Sequence, residues 1–421
     1  MQWLKEIPSH WEIEPFGRHF SYGKGLPITK ADLVPDGVAV ISYGQIHSKL
    51  NKGNTISEDL VRYVSPQYFE SHPQCLLKQN DFVFADTSED VDGSGNFAFN
   101  DYENCIFAGY HTVVARPKDL LYPLYYAYLF QSLNWKSQIQ SLVNGVKVFS
   151  INRGHLKKSY LLIPPLSEQE KIVSYLEDKT SKIDAYVAEK EKEILLLQEL
   201  KQKTIADAVT KGLNPNVKMK DSRTFFFGQI PEHWEERKMK YCFIERSEKN
   251  HLEEPVLCAT QSQGVIPQSL YQNRVVVVNK GFEGLKFVKV GDFVISLRSF
   301  EGGIEYAYYQ GIISAAYTIL TPIENEYAGY FKLLFKCHPF IQVLQTCVTG
   351  IREGQNINYQ MLGRKHIPLP PKDEQRAIVA YIEERCQKID TLVSELQAEI
   401  DNMKEYKQRL IADCVTGQVK I

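Results

Sequence analysis

The chain has 421 residues, of which 43% are hydrophobic and 24% are charged, and its formal net charge is −2. This length predicts two or three domains, and the absence of an apolar run near 18 residues argues against a membrane span. The near-neutral charge excludes a polycation, so any affinity for DNA must come from local patches or from basic partners. Only residues 212–371 lean clearly positive, with 18 basic and 15 acidic side chains.

The N-terminal stretch MQWLKEIPSHWE lacks the apolar core of a signal peptide. Eight cysteines are scattered along the chain, none in a CxxC or Cys/His zinc spacing. We therefore expect buried thiols in a reducing cytoplasm and no metal site.

Two segments of the chain occur twice. IPSHWEIEPFGRHF at 7–20 returns as IPEHWEERKMKYCF at 230–243, and the segment PPLSEQEKIVSYL that begins at Pro164 returns as PPKDEQRAIVAYI at Pro370. The second similarity extends over 164–210 and 370–416 without a gap, which indicates two rigid elements of equal length. The order is therefore variable domain, constant segment, variable domain, constant segment.

The two constant segments are predicted to be long helices. Apolar residues recur there at steps of three, four or seven, which form one stripe along a helix. Roughly 40 residues give a helix ~60 Å long, which exceeds one globular core, so we expect an antiparallel coiled coil. The predicted seam consists of Ile172, Leu176, Ile183, Ile194, Leu197, Ile378, Ile382, Ile389, Leu396 and Met403.

The variable domains are predicted to be α+β. Strand-like runs are VAVIS, DFVFA and HTVVA in the first domain, and VVVV (275–278), DFVIS and YTIL in the second. A helix is predicted over 123–142, and another over 326–348 that breaks near Pro339. The predicted division is domain 1 at 1–165, the central helix at 166–212, domain 2 at 213–371 and the C-terminal helix at 372–421.

This duplicated order of IPxHW, variable region, PPxxEQ and a helix ending in KQxxIADxVT resembles the specificity subunit of type I restriction–modification systems. The resemblance covers nearly the whole chain. It implies two similar target-recognition domains, each reading one half of a split double-stranded DNA site, with the helix pair setting the spacer. The internal repeat implies pseudo-twofold symmetry, and because the two domains differ in sequence the full site should be asymmetric.

The resemblance also implies partners. Two methyltransferase subunits would dock on the helices, and restriction–translocase subunits would join the full complex. The partners would use S-adenosylmethionine, ATP and Mg²⁺, whereas this chain would carry no cofactor. It contains no amine-methylation motif, Rossmann glycine signature or Walker A sequence, so we expect no catalytic residues here. IPxHW is predicted to join each recognition domain to the helical frame, with Trp11 and Trp234 packed on a helix end.

Polar side chains on loops between strands are the candidates for contacts with DNA. In the first domain they are Gln45, His47, Lys49, Thr87, Ser88, His111, Lys147, Asn152 and Arg153. In the second domain they are Gln261, Ser262, Gln263, Arg274, Arg298, Ser299, Arg352, Gln355 and Asn356.

Two alternatives stay open. The chain could be a structural coiled-coil adaptor with protein-binding end domains, which would require apolar loops between the strands. It could also be the specificity partner of a fused methyltransferase–nuclease.

Overall fold

The computed structural model describes residues 7–101, 105–119, 122–143, 148–271, 282–323, 328–350 and 356–421. The chain divides into two compact units, Met1–Glu191 with Ala398–Ile421 (unit 1) and Lys192–Gln397 (unit 2). The predicted recognition domains 1–165 and 213–371 fall inside unit 1 and unit 2 respectively. Each unit also holds one part of each long helix.

Unit 1 is a mixture of short strands and helices. Its strands are Glu12–Pro15 (β1), Phe20–Lys24 (β2), Val38–Ile41 (β3), Arg62–Val64 (β4), Phe82–Ala85 (β5), Thr87–Ser88 (β6), Phe97–Phe99 (β7), Ile106–Ala108 (β8), Thr112–Pro117 (β9), Phe149–Ser150 (β10) and Tyr160–Ile163 (β11). Its helices are Phe16–His19 (α1), Tyr43–Ile46 (α2), Tyr68–Ser71 (α3), Pro123–Gln131 (α4), Leu133–Gln140 (α5), Arg153–Lys158 (α6) and the first part of Leu166–Lys211 (α7).

Unit 2 repeats this construction. Its strands are Met219–Asp221 (β12), Gln229–Pro231 (β13), Glu235–Lys238 (β14), Phe243–Arg246 (β15), Leu257–Thr260 (β16), Gly264–Pro267 (β17), Lys286–Val288 (β18), Phe293–Ile295 (β19), Glu305–Tyr306 (β20), Gly311–Ile313 (β21), Thr318–Pro322 (β22), Val348–Thr349 (β23), Asn356–Ile357 (β24) and His366–Leu369 (β25). Its helices are Ser299–Gly302 (α8), Ala328–Leu334 (α9), His338–Gln345 (α10), Tyr359–Leu362 (α11) and the first part of Lys372–Val415 (α12).

The internal repeat is visible in the sheets. The four-stranded sheet of unit 1 has the order β2-β9-β5-β7, and that of unit 2 has the matching order β15-β22-β19-β20. The strand that follows the IPxHW motif pairs antiparallel with the strand that precedes the long helix in both units, β1 with β11 and β14 with β25. The predicted α+β class and internal repeat are therefore confirmed. The predicted strand at 275–278 lies outside the described residues.

The helices on each sheet differ from the prediction in one place. The single helix predicted over 123–142 is broken into α4 and α5, because Ser132 takes an extended conformation and its hydroxyl accepts the backbone N–H of Trp135. The break predicted near Pro339 is present, since Pro339 lies in the first turn of α10. A buried aromatic cluster that includes Phe16, Phe82 and Phe130 fills the space between sheet and helices in unit 1.

The long helices pair antiparallel within each unit. In unit 1, Lys407 contacts Asp184 at 2.6 Å and Lys404 contacts Glu191 at 3.0 Å, so partner numbers fall along α12 as they rise along α7. In unit 2 the equivalent lysine and aspartate form the same pair, Lys201 with Asp390 at 2.6 Å. The same ion pair thus forms twice, once from each copy of the repeat.

The predicted seam residues lie on the inner side of these helices. Ile172, Leu176, Ile183, Ile378, Ile382 and Ile389 are buried, and Ile194, Leu197, Leu396 and Met403 are partly buried. Ile378 and Ile382 belong to the core cluster of unit 2 that also contains Ala208 and Val209 of α7, so this burial packs the helices against the domain core as well as against each other.

Two tyrosines fix the C-terminal ends of the long helices. The last turn of a helix leaves carbonyl groups without intrahelical partners. In unit 2 the buried Tyr330 hydroxyl donates to the Val209 carbonyl of α7 at 2.9 Å. In unit 1 the buried Tyr125 hydroxyl donates to the Val415 carbonyl of α12 at 3.1 Å. Gly212 and Gly417 then take positive φ values of 74° and 72°, which ends each helix.

Six of the eight cysteines are buried, but Cys105 is exposed and Cys386 is only partly buried, so the expectation that all are buried is wrong. None of the helices in the described ranges is long and apolar enough to cross a membrane.

The two tyrosine caps yield a stability prediction. Tyr330→Phe and Tyr125→Phe each leave a buried helix-end carbonyl without its donor, so we expect each to lower the free energy of unfolding by about 1–2 kcal/mol. The midpoint of urea unfolding of the whole chain measures this effect. Tyr406→Phe is the control, because Tyr406 lies exposed on α12. Equal midpoints for all three variants would show that the hydroxyls do not stabilise the helix ends.

Candidate nucleic-acid interface

Several predicted DNA-contacting residues of unit 1 line one open cleft of about 550 Å³. The cleft brings together residues from β2, the β8–β9 turn and the start of α6, including Lys24, Asp86, His111, Asn152 and Arg153. Arg153 is exposed and belongs to the first turn of α6, whereas Asn152 uses its side-chain oxygen to cap that helix at Gly154 and His155. Arg153 is therefore an exposed cation of this cleft, as is Lys24, and its guanidinium suits a phosphate or a guanine edge.

His111 is held in an unusual conformation at this cleft. Its φ is +55°, its Nδ1 lies 3.2 Å from an oxygen of Asp86, and its ring packs edge-on against Tyr43 and Tyr110. Asp86 also accepts from the Thr87 hydroxyl at 2.7 Å. A rigid polar and aromatic surface of this kind can bind nucleic acid by stacking and by hydrogen bonds.

Most of the other unit 1 candidates are buried or make hydrogen bonds within the fold. His47 uses both ring nitrogens, with the Thr87 carbonyl at 2.8 Å and the Asn96 amide at 3.1 Å. Ser88 is 3% exposed, and Gln45 accepts the Ser42 backbone N–H in the capping box of α2. Lys49 is exposed outside the cleft, and Lys147 lies outside the described residues.

In unit 2 a cleft of about 570 Å³ collects the candidate turn at 261–263. Gln261, Ser262 and Gln263 are exposed between β16 and β17, and Tyr308 and Lys332 line the same cleft. The Lys332 ammonium lies 4.8 Å from the centre of the Tyr308 ring, a cation–π distance. The cleft thus combines the polar turn with a stacking surface and a positive charge.

The wall of this cleft contains a buried carboxylate. Glu305 is 2% exposed, and its Oε1 contacts Lys336 Nζ at 2.5 Å. Burial raises the pKa of Glu305, and the neighbouring Lys336 charge opposes that rise. Lys336 also donates to the carbonyls of Gly302 and Gln261, so it orders the cleft and is not free for a ligand.

The remaining unit 2 candidates are dispersed. Arg298 is exposed before α8, but Ser299 is 1% exposed and accepts the backbone N–H of Ser296. Asn356 is exposed in β24. Three further candidates lie outside the described residues: Arg274, Arg352 and Gln355.

The candidate set omitted Tyr43, Tyr110, Tyr308 and Lys332, which the structure places beside the candidates. Tyr43 and Tyr110 lie within two residues of the candidates Gln45 and His111 in the sequence, and the aromatic character of nucleic-acid surfaces was the available signal. No cluster of three potential metal-ligating side chains occurs within the described ranges.

The IPxHW motif forms a second, duplicated site, which anchors each long helix. His10 and Trp11 bind the two carboxylate oxygens of Glu168 in the first turn of α7, at 2.7 and 2.9 Å. The Trp11 bond is the main cause that lowers the pKa of Glu168, and His10 adds to it. In unit 2 His233 binds Glu374 in the first turn of α12 at 2.8 Å, beside the buried Trp234. The predicted packing of both tryptophans at helix ends is confirmed.

Comparisons with known proteins agree with this architecture. Residues 23–196 match the family model described as the type I restriction modification DNA specificity domain. The chain is 24% identical to the type I restriction enzyme MjaX specificity subunit of Methanocaldococcus jannaschii, over 99% of this chain and 96% of that protein. It is 19% identical to the type I restriction enzyme EcoKI specificity subunit of Escherichia coli K12, over 98% of this chain and 90% of that protein.

Solved structures show the same fold. A chain from a study of assembly and conformational transition of a type I R-M system superposes with a TM-score of 0.68 at 16% identity, covering 99% of this chain and 100% of that one. The HsdS subunit from Thermoanaerobacter tengcongensis gives a TM-score of 0.52 at 17% identity, with 99% of both chains covered.

The resemblance carried by the duplicated motifs is thereby confirmed. In class, the chain is similar over nearly its whole length to specificity subunits of type I restriction–modification systems, and residues 23–196 match the DNA specificity domain of that family. The homologues are specificity subunits, which are non-catalytic.

Arg153 provides a test of the unit 1 cleft. We expect Arg153→Ala to weaken specific DNA binding by the assembled complex by about tenfold or more, because one charge-assisted contact is lost. Titration of labelled DNA at several salt concentrations measures the effect. A smaller salt slope would identify a phosphate contact, and relaxed preference at one base pair would identify a base contact.

Arg62→Ala is the matched control for this titration. Arg62 is an exposed arginine of unit 1 that does not line the cleft. If both variants bind DNA like the wild type, the cleft is not the DNA-contacting surface.

Proposed function

We propose that this chain is the non-catalytic subunit that reads an asymmetric, two-part DNA site and recruits methyltransferase subunits to it. One observation carries the proposal: both units contain the same arrangement of sheet, helix anchor and helix pair, but each presents a different polar surface. The sheet order, the helix anchor and the lysine–aspartate pair occur in both units. The clefts differ, with His111 and Arg153 in one and Gln261 to Gln263 with Tyr308 in the other.

Each unit would read one half-site. Because the clefts present different donors and acceptors, the half-sites would differ and the complete site would lack symmetry. The near-neutral charge of the chain supports a division of labour in which partner subunits supply much of the phosphate attraction.

The long helices would set the spacer. α7 has 46 residues and α12 has 44, so each is close to 70 Å long at about 1.5 Å per residue. Each begins in one unit and ends in the other, which supports their role as a ruler. The pairing through a repeated apolar stripe is consistent with the coiled coil expected from sequence.

The chemistry would belong to the partners. Two methyltransferase subunits would bind S-adenosylmethionine and modify adenines, and restriction–translocase subunits with ATP and Mg²⁺ would join in the full complex. We place this assembly in the cytoplasm. The adaptor alternative is less well supported, because the exposed turn at 261–263 is polar and the cleft beside it carries a lysine.

Methylome mapping tests the proposal directly. Co-expression of the chain with a type I methyltransferase subunit from the same organism should produce modified adenines within one asymmetric motif that has an unspecified spacer. Single-molecule sequencing of the host genome reads the motif, and a host with the methyltransferase subunit alone is the control. A symmetric motif, or equal modification without the chain, would reject the proposal.

Shortening both helices tests the ruler. Removal of four residues, about one turn, from each helix removes ~6 Å, or roughly two base pairs of duplex length. We expect the methylated motif to keep both half-sites and to have a shorter spacer. An unchanged spacer in a folded, active variant would show that the helices do not determine the spacing.

A further inference from the structure

An ion pair behind the unit 2 cleft holds the polar turn at 261–263. Lys336, which follows α9, directs its ammonium group to three oxygens: a Glu305 carboxylate oxygen at 2.5 Å, the Gly302 carbonyl at 2.9 Å and the Gln261 carbonyl at 3.2 Å. A lysine has three donors, so all of them are engaged. The ion pair therefore joins β20, the end of α8 and the turn at one point.

The burial of Glu305 keeps Lys336 in this position. Desolvation raises the pKa of the Glu305 carboxyl, and the Lys336 charge opposes that rise. The second carboxylate oxygen, Oε2, has no hydrogen-bond partner among the described residues, so the ionised form depends on the bond from Lys336 to Oε1. Because an unpaired buried charge is costly, Lys336 is held in place, and it holds the Gln261 carbonyl in turn.

The turn is also fixed from within its own hairpin. The buried Thr260 hydroxyl donates to the Gly264 carbonyl at 2.9 Å and accepts the Gln263 backbone N–H at 3.0 Å. Gly264 takes a φ of +74°, which a side chain would strain. The backbone of the turn is thus held by Thr260 on one side and by Lys336 on the other, while the residues at 261–263 remain exposed.

The end of α8 also limits where the Gln261 side chain can lie. The nearest atoms to a Cβ built at Gly302 would be Cδ, Cγ and Nε2 of Gln261, at 2.7–2.8 Å. The lack of a side chain at Gly302 therefore leaves room for the Gln261 side chain in its observed position.

Unit 1 supports its cleft with a comparable chain of bonds. The Lys136 ammonium on α5 donates to Asn96 Oδ1 at 2.6 Å, Asn96 Nδ2 lies 3.1 Å from His47 Nδ1, and His47 Nε2 lies 2.8 Å from the Thr87 carbonyl. Thr87 follows Asp86, which lines the cleft. A lysine from the helices thus supports the cleft in each unit, directly in unit 2 and through two side chains in unit 1.

We propose that the 261–263 turn reads bases of the half-site recognised by unit 2, and that Lys336 sets its base preference by positioning the turn, without touching DNA. The inference rests on the proposed function and deepens it. A binding site must hold its groups to within about 0.5 Å of the productive geometry, and hydrogen bonds to base edges depend on such placement. Lys336 is a positioning residue because its three donors are all engaged within the fold.

Two variants separate the bond to the turn from the ion pair. Lys336→Met combined with Glu305→Gln removes both charges together with the bond to the turn. Glu305→Gln alone is the matched control, because Lys336 keeps its bonds to the Gln261 and Gly302 carbonyls.

The assay is DNA methylation by the purified complex of the chain with its methyltransferase subunits. The substrates are duplexes with the motif found by methylome mapping, or with a single-base substitution in one half-site. We expect the double variant to lose about tenfold of its discrimination in one half-site and none in the other. Glu305→Gln should discriminate like the wild type.

Gln263→Ala identifies the half-site that unit 2 reads, because it removes an exposed amide from the turn itself. The double variant should relax the same half-site. Unchanged discrimination in the Gln263→Ala chain would overturn the assignment of the turn. An equal loss of rate on every duplex in the double variant would show that Lys336 only stabilises the fold, and relaxation of the other half-site would also overturn the inference.

Gly302→Ala tests the positioning of the turn with the ion pair intact. The added methyl group must displace the Gln261 side chain, so we expect the same half-site to relax while the melting temperature stays near that of the wild type. Wild-type discrimination in a folded Gly302→Ala chain would overturn the inference, whether or not the double variant folds. Methylation that does not depend on the wild-type chain would instead reject the proposed function.

Discussion

The fold depends on the way each recognition domain holds two helix ends at once. In unit 1, His10 and Trp11 bind the first turn of α7, and Tyr125 caps the last turn of α12. In unit 2, His233 and Tyr330 make the corresponding contacts with the start of α12 and the end of α7. The tyrosine contacts are buried and the histidine–glutamate contacts are short but exposed, and together they fix each domain to both helices rather than to one. Antiparallel pairing is the arrangement that allows a start and an end to lie in the same domain.

Because its motifs are duplicated, this arrangement of domains and helices could be predicted from the sequence. IPxHW and PPxxEQ recur because each occurrence makes the same contact, so the repeat predicted the helix anchors, the helix pairing and the α+β class. The apolar stripes on α7 and α12, which include Ile172 and Met403, were predictable because a buried helix face imposes a strict period. The break at Ser132 was not, since Ser132 and Trp135 form a local cap that carries no periodic signal and that competes with helix continuation.

The candidate DNA surface was less predictable. Composition identifies polar loops but not the direction of each side chain, and the structure separates residues that look alike in sequence. His111 faces a cleft, whereas His47 has both nitrogens engaged inside the fold. Arg153 is exposed, whereas Ser299 is buried behind its turn. Tyr43 packs against His111, and Tyr308 lines the unit 2 cleft, because of packing partners that are distant in sequence, which no local pattern reports.

The contacts that anchor the helices are the same in both units, whereas other contacts inside the domains differ between them. A buried aspartate precedes the central strand in both units, and its charge is satisfied by an arginine in each, but from different strands. Arg116 on β9 reaches Asp81 at 3.0 Å, and Arg246 on β15 reaches Asp292 at 2.9 Å. The buried carboxylate requires a cationic partner because an unpaired buried charge is costly, but the fold leaves open which strand supplies that partner. Divergence inside the recognition domains therefore need not disturb the helix anchors, and a domain can acquire a new DNA surface while it keeps its place in the frame.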